Sequence, residues 1–325
     1  MSNEKTKQGI IRTVLGDIEP AELGVTNYHE HLFQVSPLLK GDELDDEELS
    51  SKEASALKDS GFDVMVDATP LGLGGRPEAL ARISKATGLK IVATTGRHRQ
   101  EHYGADHWVR DFSLGQLEQR LIADLTQGLA LSESDSKIAT APAEGVDSVR
   151  AGILKAGIGY WSIDSFERQT LDAVGASHAA TGAPIMIHLE FGTAAHEVLD
   201  ILEGLSVPAS SVALAHADRN LDSGLHCSLI ERGAYLGYDG MARAKNRSDQ
   251  ELLTLTREVV EKVGSSRILI GGDVARRTRY IAYGGIPGLA YLGQRYLPRL
   301  RDEIGDSHVE AITRSNPALW LSWKI

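Results

Sequence analysis

Cysteine occurs once in the 325 residues, at Cys227. No intrachain disulfide can form, and a thiolate-rich zinc site is excluded. No apolar run approaches the ~20 residues of a membrane-spanning helix. The opening segment MSNEKTKQGIIRTVLGDIEP has neither a long apolar core nor a leader-cleavage pattern. A basic excess is also missing: the net charge is −11. Nucleic acid as the main partner would call for a broad basic surface. There is no short-period repeat and no low-complexity tract. These absences lead to the expectation of a reduced, soluble, cytoplasmic protein, with no membrane and no nucleic acid as partner.

What is present is an alternation. Eight short β-rich runs lie at residues 24–31, 62–70, 90–98, 151–157, 184–190, 211–218, 234–240 and 267–273. Several are almost wholly apolar, as strands buried on both faces of a parallel sheet are. Helical segments separate them. RPEALARISKATG has Pro77 just inside its start and Gly88 at its end. Ser165 reads as an N-cap for the segment that follows it, and Ser248 with Glu251 as a capping box. The fold class expected is α/β, a (β/α)8 TIM barrel forming a single domain over residues 1–325, with a doubly wound sheet as the runner-up. Two long segments follow the first and third strands, FQVSPLLKGDELDDEE and HRQEHYGADHWVRDFSLG. The acidic run in the first reads as a solvated loop. In a barrel both would lie on the face that carries the active site.

That face should collect chemistry from several strand ends, and the sequence places donors there. In VTNYHEHLF, His29 and His31 share one face of a strand while Glu30 faces the other way. Lys155 lies in the fourth strand, and His188, His216 and Asp273 end the fifth, sixth and eighth. Four imidazoles and a carboxylate at one barrel mouth suit zinc or another divalent first-row ion. Left unpaired, such groups cost ~1–3 kcal/mol each. Lys155 leaves two readings open. Its ammonium pairs with an acid such as Asp67 or Glu190, or its amine has reacted with carbon dioxide to give an anionic carbamate.

The segments IRTVLGDIEPAELGVTNYHEHLF, GILKAG, IHLEFGT, HADRN and the closing GGIPGLAYLGQRYLPRLRDEIGDSHVEAITRSNPALWL resemble, in order and spacing, the phosphotriesterase family of the amidohydrolase superfamily. The resemblance covers nearly the whole chain. It implies two divalent ions, Zn2+ with Mn2+ or Co2+ as alternatives. His29, His31 and Asp273 would hold the more buried ion, and His188 and His216 the other. Carboxylated Lys155 would bridge them together with a hydroxide. The hydroxide would attack an ester or lactone, and Asp273 would accept the proton. Glu30 would stabilise the barrel wall. A homodimer is also implied.

The family contains organophosphate hydrolases, lactonases, and other ester and amide hydrolases, and fold does not choose among them. Arginines clustered after strands three and eight suit a phosphate or carboxylate. The candidate substrate contacts are Arg97, His98, Arg276, Arg277 and Arg279, with Glu190 after the fifth strand. HLEFGT and RRTRYIAYGGIPG resemble the branch that opens phosphorylated sugar lactones. There are two departures. Lactonases of the family often carry an aromatic residue where Arg97 stands, and organophosphate hydrolases a histidine near Asp239 and Gly240. The expectation is hydrolysis of an anionic sugar lactone. The alternatives are an aryl-ester, amide or organophosphate triester hydrolase, and more remotely a non-catalytic binding protein on the same barrel. Asp218 reads as an orienter of ligands or a loop brace, and His178, His196 and His226 carry no assigned chemistry.

Overall fold

A computed structural model describes residues 9–130 and 148–324. The chain opens with an antiparallel hairpin, β1 (Ile11–Thr13) and β2 (Gly16–Ile18), which the strand pattern did not announce. Eight parallel strands follow in sequential order: β3 (Thr26–Glu30), β4 (Val64–Asp67), β5 (Lys90–Arg97), β6 (Ile153–Ile158), β7 (Ile185–Leu189), β8 (Val212–Ala215), β9 (Tyr235–Tyr238) and β10 (Ile268–Ile270). Each falls on one of the eight runs read from the sequence, β6 passing the end of its run by one residue. The ring closes through a backbone hydrogen bond from Asp273 N to His29 O, 3.0 Å.

A helix follows each barrel strand: α1 (Glu47–Asp59), α2 (Pro77–Thr87), α3 (Leu114–Thr126), α4 (Ser165–Thr181), α5 (Ala195–Gly204), α6 (Ser223–Glu231), α7 (Asp249–Val263) and α8 (Leu297–Ile304). The fold is a (β/α)8 barrel. Among the described residues no helix is long and apolar enough to cross a membrane.

Local chemistry sets the helix ends. Gly88 closes α2 in the left-handed conformation, and Ser248 forms its capping box with Glu251. Two sequence readings need correction. The cap of α4 is Asp164, which forms a capping box with Glu167, so Ser165 is already helical. The acidic run is not all loop. Asp46 caps α1, and Glu47 and Glu48 form its first turn, where carboxylates meet the positive end of the helix dipole.

Two apolar layers hold the barrel. Ile11, Tyr28, Val64, Val92, Ile153, Met186, Ala213 and Leu269 form the interior cluster, together with Trp320 from a short C-terminal helix, α10 (Asn316–Leu321), that follows α9 (Asp306–Glu310). Asn316 ties this tail to the barrel by donating to Ser265 O (2.6 Å) and Ile268 O (2.8 Å). The larger layer packs strands against helices. With the N-terminal end filled by apolar side chains, polar groups are left to the opposite end.

One glycine is essential to strand spacing beside that end. Gly96 has φ 126°, and a Cβ there would lie 1.9 Å from Lys155 O. Gly96→Ala should lower stability by about 2–4 kcal/mol, a clash no rotamer relieves. Urea unfolding checks this, and a change below ~0.5 kcal/mol, the usual range for a harmless surface substitution, would show that the strands can part there.

Candidate metal centre

The strand ends bring His29, His31, Lys155, His188, His216 and Asp273 to one end of the barrel, all of them buried. The four imidazoles are arranged alike. Each gives one ring nitrogen to a protein partner and turns the other inward. His29 Nδ1 donates to Asp239 Oδ2 (3.1 Å), and His216 Nδ1 to Asp239 Oδ1 (2.6 Å). His31 Nδ1 lies 2.7 Å from Thr69 Oγ1; that hydroxyl donates to Phe33 O (2.7 Å) and so accepts from the ring. His188 Nε2 donates to Glu190 Oε2 (3.3 Å).

The inward nitrogens therefore carry lone pairs. His29 Nε2 and His31 Nε2 stand 3.8 and 3.7 Å from Asp273 Oδ1. His29 Nε2 is buried without a hydrogen-bond partner. His216 Nε2 and His188 Nδ1 face each other at 2.8 Å. Two unprotonated nitrogens at that distance repel unless a cation lies between their lone pairs. His29, His31 and Asp273 each offer a ligand atom, all within 4.8 Å of one another. The donors present thus fit a divalent ion bound by neutral imidazole and carboxylate.

Burial supports this protonation state. It pushes His31 and His188 well below the ordinary histidine value and His216 to about 4. Burial likewise lowers the Lys155 ammonium to about 8, and its Nζ donates to Ala68 O at 2.8 Å. Burial alone would raise Asp273, but Arg243, with His29 and His216, holds it well below the usual carboxylate range. His216 (φ 64°) and Asp273 (φ 40°) both adopt the left-handed backbone conformation. Strain of this kind concentrates at ligand-holding positions.

Asp239 did not stand out in the sequence as a site residue. Fully buried, it joins His29 to His216, and Tyr28 OH donates to it as well. Asp218 accepts from Asp239 N (3.0 Å) and Gly240 N (2.7 Å), bracing the turn beneath it. Glu30 points away from the centre, accepting from Val274 N (3.0 Å) and Asn27 Nδ2 (3.3 Å).

The arginines sort differently from expectation. Arg97 is wholly buried on the helix side of β5. It donates to Thr170 Oγ1, Val109 O, Phe166 O and Gln169 Oε1, and stacks on Phe166 at 3.9 Å. Four of its five N–H donors are taken, and full burial keeps the group from a substrate. Arg276 pairs with Asp42 (3.3 Å), and Arg277 lies over Tyr283 (5.5 Å), so both are engaged with neighbouring loops. Arg279 packs behind Asp273, donating to its carbonyl (3.3 Å) and to Val274 O (3.2 Å).

The guanidiniums at the centre are others. Arg219 and Arg243 reach Asp273 Oδ2 at 3.2 and 2.7 Å, and Arg99 reaches Glu190 at 2.9 Å. His98 is at the centre too, its ring centroid 4.4 Å from that of His188.

Comparison with known proteins bears on the chain as a whole. Residues 9–321 match the model of the phosphotriesterase family. A phospho-furanose lactonase of Mycoplasmopsis synoviae is 28% identical over 304 residues, covering 89% of this chain and 85% of the relative. An N-acetyltaurine hydrolase of Danio rerio is 25% identical, covering 98% and 99%. The crystal structure of a lactonase from Listeria monocytogenes superposes with a TM-score of 0.88 at 31% identity, covering 97% of this chain and all of that one.

Asp239→Asn puts an amide where two imidazole N–H groups and a phenol converge. It should weaken Zn2+ binding about 10–100-fold, as loss of a ligand-orienting partner does. Titration calorimetry on metal-depleted protein measures this, and an unchanged affinity would reduce Asp239 to a packing role.

Proposed function

The chain belongs to the phosphotriesterase family, and from that premise we propose that this metal-dependent hydrolase opens an anionic sugar lactone with two divalent ions. The observation that carries the reading is the set of inward lone pairs on four imidazoles beside Asp273. His29, His31 and Asp273 would hold one ion, probe metal Zn2+, and His188 and His216 the second. Carboxylated Lys155 would lie between them. A buried amine whose pKa falls to about 8 has a neutral fraction near pH 7 that carbon dioxide can modify. Bound ions of this kind supply hydroxide near neutral pH and draw charge from the oxygen of the scissile carbonyl.

The remaining work falls to the protein's own side chains. Asp273 divides its carboxylate. Oδ1 faces His29 and His31, while Oδ2 faces Arg219 and Arg243. The two guanidiniums carry charge beyond what one carboxylate neutralises, and they would turn toward a substrate phosphate or carboxylate. That movement frees Oδ2 to take the proton of the attacking water and return it to the leaving alkoxide. Arg99 and His98 would shape the opposite side of the pocket. Arg97, Arg276 and Arg277 have no part in this reading.

A panel of phosphorylated and plain sugar lactones, an aryl ester, an aryl amide and a phosphate triester tests it. The highest kcat/KM is expected for a phosphorylated lactone with Zn2+-loaded protein, and loss of turnover on chelation. Preference for the amide or the triester would defeat the substrate assignment. Arg219→Gln and Arg243→Gln should each raise KM about 10–100-fold for the phosphorylated lactone, the worth of a charge-assisted hydrogen bond. Equal effects on the plain lactone would remove the anion contact.

A further inference from the structure

Of the described Phe, Tyr and Trp residues, three are exposed: Tyr160 (61%), Trp161 (65%) and Phe191 (54%). They occur together. Tyr160 and Trp161 follow β6, Phe191 follows β7, and the rings of Tyr160 and Phe191 meet edge to face at 6.0 Å. Chance would scatter three exposed rings over the surface, whereas these stand on adjacent loops at the active-site end.

The backbone holds them outward against its own preference. Trp161 (φ 51°) and Phe191 (φ 53°) are both left-handed without being glycine. The two loops are tied: Trp161 N donates to Thr193 Oγ1 (3.0 Å), and that hydroxyl donates to Glu190 O (2.7 Å). Glu190 in turn contacts His188 and Arg99. The aromatic group is therefore one residue removed from the candidate metal centre, on the rim and not in its floor.

From this we propose that Tyr160, Trp161 and Phe191 form a stacking platform for a sugar ring beyond the one that reacts. The substrate would then be a lactone carrying a second saccharide unit. Only the identity of the reacting bond rests on the function proposed above. The chemistry selects a sugar. Its C–H face is flat and apolar, matching rings laid open on a surface, whereas a flexible acyl chain needs an enclosing slot. Its hydroxyls would meet a polar edge, since Tyr160 has a phenol, Trp161 an indole N–H, and Ser162 and Glu190 adjoin them. An anionic membrane is disfavoured by a net charge of −11.

Trp161 also supplies the readout, because of the other three tryptophans Trp320 and Trp323 are buried and Trp108 is half-buried, and a Trp161→Phe variant, which should lose the signal, confirms the source. Titrating cellobiose into the metal-loaded protein should give a saturable change in tryptophan emission. In Phe191→Ala, which keeps the fluorophore, the half-saturating concentration should rise about tenfold, the order of one lost aromatic contact. Phe191→Tyr should restore it. No saturable change with cellobiose overturns the platform. So does a response to an alkyl-chain lactone such as γ-decalactone in its place. A Trp161→Ala/Phe191→Ala variant that converts a dimer to a monomer by light scattering also overturns it, since a second copy would then cover the rings. Cellobiose binding with no lactone turned over would leave the platform standing and defeat the proposed function, so the two failures are distinguishable.

Discussion

One buried carboxylate organises the polar end of this barrel. Asp239 takes a proton-bearing nitrogen from His29, on β3, and another from His216, beyond β8. Burial of an ionised carboxylate is tolerated only when such partners surround it. Here they hold it far below the ordinary carboxylate range despite its burial. The consequence runs inward. With Nδ1 engaged on both rings, Nε2 of each is fixed as an acceptor. Because His29 sits by Asp273 and His216 by His188, a single group sets the tautomer in both halves of the centre. The halves should form or fail together.

Much of this was legible in the sequence. The eight strands announced themselves as apolar runs at regular intervals, and the donors stood at their C-terminal ends, where a barrel collects chemistry. Asp239 was not legible. In GYDGM it looks like a turn residue, and only the closed ring brings it under two histidines from other strands. The arginines failed for a different reason, and there the signal existed. Gly96 pairs in register with Lys155, and Arg97 with Ala156. If Lys155 faces the interior, alternation puts Arg97 among the helices and returns His98 to the inside. Arg219 stands alone in HADRN, whereas Arg243 shares the segment MARAKNR with Lys245 and Arg247, a basic cluster after the seventh strand that the reading passed over. The loop after β10 had the density, but Arg276 spends its charge on Asp42 in the neighbouring loop.

Protonation is settled largely by burial. His31, His188 and His216, stripped of water, are neutral without help from any ion, and a lysine amine in the same surroundings is part-way to being a nucleophile. The barrel thus prepares its donors in advance, and the apolar plug of Ile11, Met186 and Trp320 at the other end keeps solvent from undoing it. Arg219 and Arg243 add fixed cationic charge beside Asp273.

The left-handed backbone at His216 and Asp273 carries an implication for anyone engineering this scaffold. Glycine at either position would relax the chain, but it would also strip a partner from buried charges, Asp239 in one case and Arg219 with Arg243 in the other. Backbone ease and side-chain pairing pull in opposite directions at these two points, and a library screened for heat resistance would keep both side chains for the charges they hold.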